Sequence, residues 1–425
     1  MFYGIERCFM RIERDLYINR LIERMNNGMI KVITGLRRSG KSYLMNTLFY
    51  DYLKSLGVDD SHIIMVQLDT DENDHLLDHH ILGKHLREQI RDDSQYYFLL
   101  DEIQEVNDFE RVLNGLLQKR NVDIYVTGSN SRFLSSDIKT ELRGRGDEIH
   151  VFPLSFKEFC SAKKGDVYQS WNEYMVYGGM PMVLSMTSDE QKAKYLKDLF
   201  EETYIKDIRE RNKIRNIAEM EELIDVMASS IGSLANPNRI SNTFRSEKKV
   251  SLDPKTIKDY LVWLENAFLL SEVKRYDVKG RKYINTPLKY YFEDVGLRNA
   301  RLNFRQLEEP HIMENVVYNE LCLRGYNVDV GVVEALDKID SKYVSKQYEV
   351  DFVASSGQKK YYIQVAQGLS DPQKREQESR SLKNIRDGFK KVIIRKDNPI
   401  TYTDDDGILN LNLFDFLLGK TELDA

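Results

Sequence analysis

Residues 35 to 42 read Gly35-Leu36-Arg37-Arg38-Ser39-Gly40-Lys41-Ser42, the spacing G-x-x-x-x-G-K-[ST], and the run Met29-Ile30-Lys31-Val32-Ile33-Thr34 leads into it. Gly35 and Gly40 permit backbone torsions and a close approach that a Cβ would block, so successive N–H groups can turn inward around a phosphate at a helix N-terminus. In such a loop Lys41 brings charge to the β- and γ-phosphates, the Ser42 hydroxyl is a Mg²⁺ ligand, and the segment from Gly35 through Tyr43 forms the nucleotide cradle. The pattern carries that meaning only between a buried strand and an amphipathic helix. Both are predicted, because Leu44, Met45, Leu48 and Phe49 recur at helical spacing directly after the loop. The plainer reading is an ordinary glycine-bearing strand-to-helix turn, and the next feature argues against it.

Tyr96-Tyr97-Phe98-Leu99-Leu100 runs straight into Asp101-Glu102. At the end of a buried strand the first carboxylate can hold the Mg²⁺ shell and the second can orient and deprotonate an attacking water. Two solvated acids at a strand exit are common by themselves. Paired with the loop, they predict a nucleoside-triphosphate hydrolase.

Around these motifs, short apolar runs at Met29 to Thr34, His62 to Leu68, Tyr96 to Leu100, Asp123 to Thr127 and Glu148 to Phe152 alternate with helical stretches. Alternation of this kind predicts an α/β fold with a parallel sheet and helices on both faces. The fourth run exits into Thr127-Gly128-Ser129-Asn130, a polar tip placed to sense the γ-phosphate or the water, or else a plain turn.

A chain of 425 residues exceeds one typical core, so two or three domains are expected. With 41% hydrophobic and 31% charged residues it has the balance of a soluble globular protein, and no run reaches the ~18 apolar residues of a membrane helix. No signal-peptide core stands in Met1 to Asp15, so a cytoplasmic location is expected. Cys8, Cys160 and Cys322 are far apart, which supports neither a disulfide framework nor a zinc site. A formal charge of −6, from 62 basic and 68 acidic residues, argues against a chain coated for nonspecific nucleic-acid binding but leaves room for a local basic patch.

Four segments are expected: a phosphate-loop domain over 1–155, a helical linker or lid over 156–220, a winged helix-turn-helix module over 221–305, and a further α/β domain over 306–425. The second is broken by Tyr177-Gly178-Gly179-Met180-Pro181, whose glycines and proline stop a helix. In the third, helices at Met220 to Ser229 and Thr256 to Ala267 precede strands that bracket Asp277-Val278-Lys279-Gly280-Arg281. That order suits a winged helix with Lys279 to Lys282 on the wing tip, a candidate DNA contact or simply a solvated turn. The fourth carries a helix with Glu314 and Glu320, strands at Asn327 to Val333, Gln347 to Val353, Tyr361 to Val365 and Lys391 to Arg395, and a charged helix near Arg375 to Arg386.

With these motifs and Glu349-Val350-Asp351-Phe352-Val353 in view, nearly the whole chain resembles the prokaryotic AAA-type ATPases that carry a C-terminal DUF4143 domain. The resemblance implies that Gly35 to Ser42 is a Walker A motif, Asp101-Glu102 a Walker B motif, and Ser129 or Asn130 the sensor. It also implies that Arg143 or Arg145, in Leu142-Arg143-Gly144-Arg145, is an arginine finger reaching a neighbouring subunit. A guanidinium can neutralise charge developing on the γ-oxygens, although an Arg pairing with Asp147 or Glu148 would read the same way.

The C-terminal part resembles a PD-(D/E)xK nuclease-like fold, in which Glu314 and Asp351 would occupy the first two metal-binding places. Where acid-x-Lys should follow stand Gln364 and Ala366, an amide without charge and a methyl, so a degenerate site is expected unless Lys374 or Arg375 substitutes. The reading is therefore an ATP-binding, Mg²⁺-dependent hydrolase with ATP favoured by the resemblance, no membrane partner, DNA as a candidate partner and a homo-oligomer implied by the finger. The alternatives are a nucleotide-gated DNA-binding switch with little turnover and an ATP-dependent nuclease.

Overall fold

The computed structural model describes residues 11–128, 142, 144–214, 216–248, 252–339, 342–368, 372–398 and 400–424. Chain contacts divide the protein into two compact units, Met1–Pro153 with Asn266–Phe268, and Leu154–Glu265 with Leu269–Ala425.

The first unit is built on five parallel strands, β1 (Ile30–Thr34), β2 (Ile63–Gln67), β3 (Tyr96–Asp101), β4 (Val122–Thr127) and β5 (Gly146–His150), in the order β2-β3-β4-β1-β5. β1 and β3 are buried along their whole length, which is why both read as continuous apolar runs rather than alternating ones. The chain leaves β1 at its carboxyl end, turns through the glycine loop and enters a helix at Lys41–Tyr43, which runs through a wider turn at Leu44–Phe49 into Tyr50–Ser55. Leu44, Met45, Leu48 and Phe49 are all buried, as their spacing predicts. Across the sheet, Ile30, Val32, Phe98, Leu100, Ile124 and Val126 pack with Leu113 and Leu116 into a core that fixes the strand ends.

The second unit carries an eight-stranded mixed sheet. Its strands are β6 (Leu270–Asp277), β7 (Lys282–Phe292), β8 (Asn327–Ile339), β9 (Lys342–Ser356), β10 (Lys359–Ala366), β11 (Lys390–Arg395), β12 (Tyr402–Thr403) and β13 (Leu409–Asn412), in the order β12-β13-β11-β10-β9-β8-β6-β7. The sheet runs across the expected boundary at 305/306. The β6–β7 hairpin does not stand apart as a free wing, because β6 pairs in parallel with β8 through Arg275↔Val330, Tyr276↔Gly331 and Asp277↔Val332, so one sheet spans both expected modules. Pairing satisfies the N–H and C=O groups that a free hairpin edge would leave to solvent.

The segment Gly178-Gly179-Met180-Pro181 has a structural use. Gly178 has a φ of 67°, and a Cβ there would lie 2.4 Å from Asp294 Oδ1. A Cβ on Gly179 would lie 2.2 Å from the Leu154 carbonyl oxygen, and the Gly179 N–H donates to Asp294 Oδ2 at 2.7 Å. Asp294 also caps the helix Val295–Arg301 by accepting from Leu297 N at 2.9 Å. No helix among the described residues is long and apolar enough to cross a membrane.

Candidate functional site

The carboxyl ends of β1, β4 and β3 lie side by side, and each delivers one part of a site. Ligands of open α/β sheets bind at this edge, where helices begin and backbone N–H groups are free of the ladder. From β1 comes the loop. Gly35 has a φ of 136° and rests on the chain leaving β5, where a Cβ would lie 2.2 Å from the Val151 carbonyl oxygen. Gly40, with φ 99°, turns the chain into the helix, and Arg38 takes a left-handed φ of 62° at the exposed crest. Leu36 is buried and Arg37 half-buried. Ser39 is buried, and its Oγ has no hydrogen-bond partner. The Lys41 ammonium is held inside the loop, donating to the Gly35 and Leu36 carbonyls at 3.1 and 2.8 Å. The Tyr43 hydroxyl accepts from Ile12 N at 3.3 Å, which places the N-terminal segment against the first turn of the helix.

From β3 comes Asp101, only 3% exposed. It accepts hydrogen bonds from the Ser42 hydroxyl at 3.0 Å, from Asn46 Nδ2 at 3.2 Å and from the Thr127 hydroxyl at the end of β4. All three donors are neutral, and no Lys or Arg among the described residues pairs with it. Burial pushes its pKa up, and the hydroxyls of Thr127 and Ser42 oppose that shift only in part. Such a carboxylate gains most from a cation brought beside Ser42. Glu102 follows with a left-handed φ of 52°; its N–H donates to Thr127 Oγ1 at 2.9 Å, and Gln104 Nε2 donates to its carboxylate. One threonine thus ties together the backbone of one acid and the side chain of the other.

The loop, Ser42, Asp101 and Glu102 are therefore brought into one place. Arg145 is not. Its backbone pairs with Ile30 at the amino end of β1, five strand residues from the loop, about 16 Å at the rise of a parallel strand. Its guanidinium donates to Asn114 Oδ1 at 3.2 Å. The acids that were its rival partners are engaged elsewhere, since Arg24 pairs with Asp147 at 3.0 Å and Thr34 donates to Glu148 at 3.0 Å. Ser129, Asn130 and Arg143 lie outside the described residues.

Sequence reasoning missed Arg14, Asn46 and Gln104 as parts of the site. Arg14 is 1% exposed; it donates to the Ser39 carbonyl at 2.9 Å and to the Phe152 carbonyl at 2.8 Å, clamping the loop to the chain beyond β5, and it lies over the Tyr17 ring at 4.5 Å. Nothing in the local pattern marks that arginine. Thr127 was legible as a polar strand end, but not its contact with both acids.

In the second unit, Glu314 and Asp351 do approach one another, around a residue that the sequence did not suggest. Lys289 of β7, 3% exposed in its side chain, pairs with Glu314 at 3.0 Å and with Glu349 at 2.7 Å. Burial opposes its charge, yet the carboxylates of Glu314, Glu349 and Asp351 together hold its pKa above the usual lysine range. Tyr291 donates to Glu314 at 2.5 Å. Asp351 accepts from Val365 N at 2.8 Å, and its own N–H donates to Gln364 Oε1 at 3.4 Å. Burial and then the Glu314 charge raise the Asp351 pKa. No group of three or more His, Cys, Asp or Glu among the described residues is disposed to hold a metal ion. The side chains of Lys374 and Arg375 lie outside the described ones.

Residues 27–160 match the family described as an AAA domain, and residues 168–308 match a domain of unknown function, DUF8612. That second match corrects the expectation of DUF4143. A Haemophilus influenzae protein described as uncharacterized is 36% identical over 413 residues, covering 96% of this chain and 98% of its own length. An uncharacterized protein of Methanocaldococcus jannaschii is 29% identical over 410 residues, covering 91% of this chain and 86% of its own. Among solved structures, an ORC1 protein of Aeropyrum pernix in complex with DNA aligns at 12% identity and a TM-score of 0.32, over 69% of this chain and 93% of that one. AMPPCP-bound DnaA of Aquifex aeolicus aligns at 14% identity and a TM-score of 0.26, over 59% and 86%.

Proposed function

We propose that this chain, which belongs to one family with its Haemophilus influenzae relative and matches an AAA domain over residues 27–160, binds ATP with Mg²⁺ at the loop of residues 35–43 and hydrolyses it. The observation that carries the reading is the 3.0 Å bond between Ser42 Oγ and Asp101 Oδ1, which joins the hydroxyl following the loop lysine to a buried, cation-free acid. The cradle suits a triphosphate: backbone fills the space where a Gly35 Cβ would sit, and Ser39 Oγ is a buried hydroxyl with no partner of its own.

Ser42 and Asp101 would hold the Mg²⁺, which when bound neutralises charge on the β- and γ-oxygens. Lys41 supplies the loop's own positive charge. Glu102 is the base: Gln104 fixes its carboxylate, Thr127 fixes its backbone, and a water hydrogen-bonded to it would lose its proton to that carboxylate as it attacks. Ser129 or Asn130 would sense the γ-phosphate. Arg145 lies at the opposite strand end, so a finger role for it requires a second subunit, and the same in-trans role is proposed for Arg143.

Steady-state phosphate release with Mg²⁺ and ATP tests the base. Glu102→Gln is expected to lower turnover at least about a hundredfold while ATP stays bound. Turnover equal to the wild type would remove Glu102 from the reaction. Arg143→Ala or Arg145→Ala should slow release with little change in ATP affinity, and unchanged release in both would end the finger assignment.

The order of one helix, the antiparallel strands β8, β9 and β10, a second helix and then β11 in parallel with β10 supports the nuclease-like reading of the C-terminal part. Lys289 speaks against catalysis there, because its ammonium stands among the acids that would have to bind a metal.

A further inference from the structure

A groove of about 600 Å³ opens in the second unit where the β6–β7 turn meets the loop between the helix Pro372–Lys383 and β11. We propose that this groove holds the sugar-phosphate backbone of a nucleic acid.

Its lining brings Lys279 and Arg281 from the turn next to Arg386 from the loop, with Asn384 and Asp387 beside them. Three cations from two segments far apart in sequence converge there, in a chain whose formal charge is −6. Arg281 and Arg386 form no ion pair among the described residues, and Lys279 donates to the Glu334 backbone carbonyl, which leaves its charge whole. The nearby acids accept from neutral donors and are not paired with these cations. Asp387 accepts from the Tyr362 hydroxyl at 2.5 Å and from Phe389 N at 3.2 Å. Asp277 caps its own turn by accepting from Lys279 N and Gly280 N at 3.1 and 2.9 Å. Gathering like charges without carboxylate partners is unfavourable unless an anion joins them, and the planar fork of arginine suits phosphate oxygens.

Extended aromatic surface distinguishes a nucleic acid from a lone phosphate. Tyr283, two residues after Arg281, is 57% exposed, and Phe389, three residues after Arg386, is 40% exposed. The Lys360 ammonium stands 5.0 Å from the Phe389 ring and 5.3 Å from that of Tyr276. Exposed rings two and three residues along the chain from these arginines would offer bases a stacking surface while the phosphates meet arginine. The proposed contact is therefore broader than a wing tip, since a loop more than a hundred residues downstream supplies Arg386.

The groove lies in the second unit, and the proposal does not depend on ATP hydrolysis. Fluorescence anisotropy of the full chain with a labelled 20-base-pair duplex and a labelled 20-nucleotide single strand, over a salt series, tests it. At least one of the two is expected to bind, and Arg281→Glu with Arg386→Glu should weaken it about tenfold or more and flatten the salt slope by about two. Lys84→Glu, an exposed reversal in the first unit, should leave binding within about twofold, and ATP binding by the double variant should match the wild type, showing that the chain folds. The proposal fails if neither probe binds, if the double variant binds as the wild type does, if Lys84→Glu weakens binding equally, or if AMP at matched phosphate concentration displaces the probe.

Discussion

Asp101, the last residue of β3, and the group of Glu314 on the helix Glu309–Leu323 with Glu349 and Asp351 in the middle of β9 are carboxylates whose surroundings are opposite in kind. Asp101 is met only by neutral donors, Ser42, Asn46 and Thr127, so nothing within the described protein cancels its charge. Around Glu314 and Glu349 the protein supplies its own cation, Lys289. A buried carboxylate left with neutral donors gains from an incoming cation, whereas one already paired would have to surrender its partner first. Acidic residues in a sequence therefore do not identify a metal site until their counter-charge is known.

The sharpest way to break this comparison is to remove each lysine in turn. Lys41→Ala is expected to weaken ATP binding by at least about a hundredfold, read by titration with a fluorescent ATP analogue, with a nearly unchanged melting temperature. Lys289→Met should do the reverse. It strips the counter-charge from buried acids and should cost about 3–5 kcal/mol in denaturant unfolding, with ATP affinity in the surviving folded protein unaltered. If Lys289→Met unfolds at the wild-type denaturant concentration, Lys289 is not what compensates those acids.

Asp294 provides an intermediate case, a carboxylate satisfied by backbone N–H groups rather than by a cation. Burial dominates there and pushes its pKa up to about 6 despite bonds from Gly179, Leu297 and Gly296. Because the folded value lies above the ordinary carboxylate value, the folded state takes up a proton first as pH falls. The stability that this protonation contributes is present below about pH 4 and is lost as pH rises through 6. Relative to Asp294→Asn, the wild type should thus lose up to about 3 kcal/mol between pH 4 and 7, measured by urea unfolding at each pH. A pH-independent difference would show that the backbone bonds, not burial, set its titration.

These contrasts also mark what the sequence could reveal. Strands β1 and β3 were legible because a strand buried on both faces must be largely apolar, and the loop because its glycines and lysine are fixed by spacing. Lys289 was not, since its role depends on β7 joining the sheet that carries Glu349 and Asp351, a long-range pairing that leaves no local period. Gly178-Gly179 was legible as a turn, but not the partners that require the glycines, the Leu154 carbonyl at Gly179 and Asp294, more than a hundred residues later, at Gly178. The hairpin read as a free wing because its own alternation says nothing about β8.

Arg14 tests the loop side of the comparison from a distance. It touches neither acid, but its guanidinium holds the Ser39 carbonyl and the Phe152 carbonyl, so it fixes the loop backbone against the chain that also packs on Gly35. Arg14→Ala leaves two buried carbonyls without a charged donor and should cost about 2 kcal/mol of stability. If loop position is what preorganises the cradle, ATP affinity should fall severalfold as well, and Arg14→Lys, whose single ammonium cannot span both carbonyls as a planar fork does, should recover only part of it. Loss of stability with ATP affinity unchanged would show that the glycine loop holds its shape without the clamp, and that the contrast between the two lysine sites rests on Asp101 and Ser42 alone.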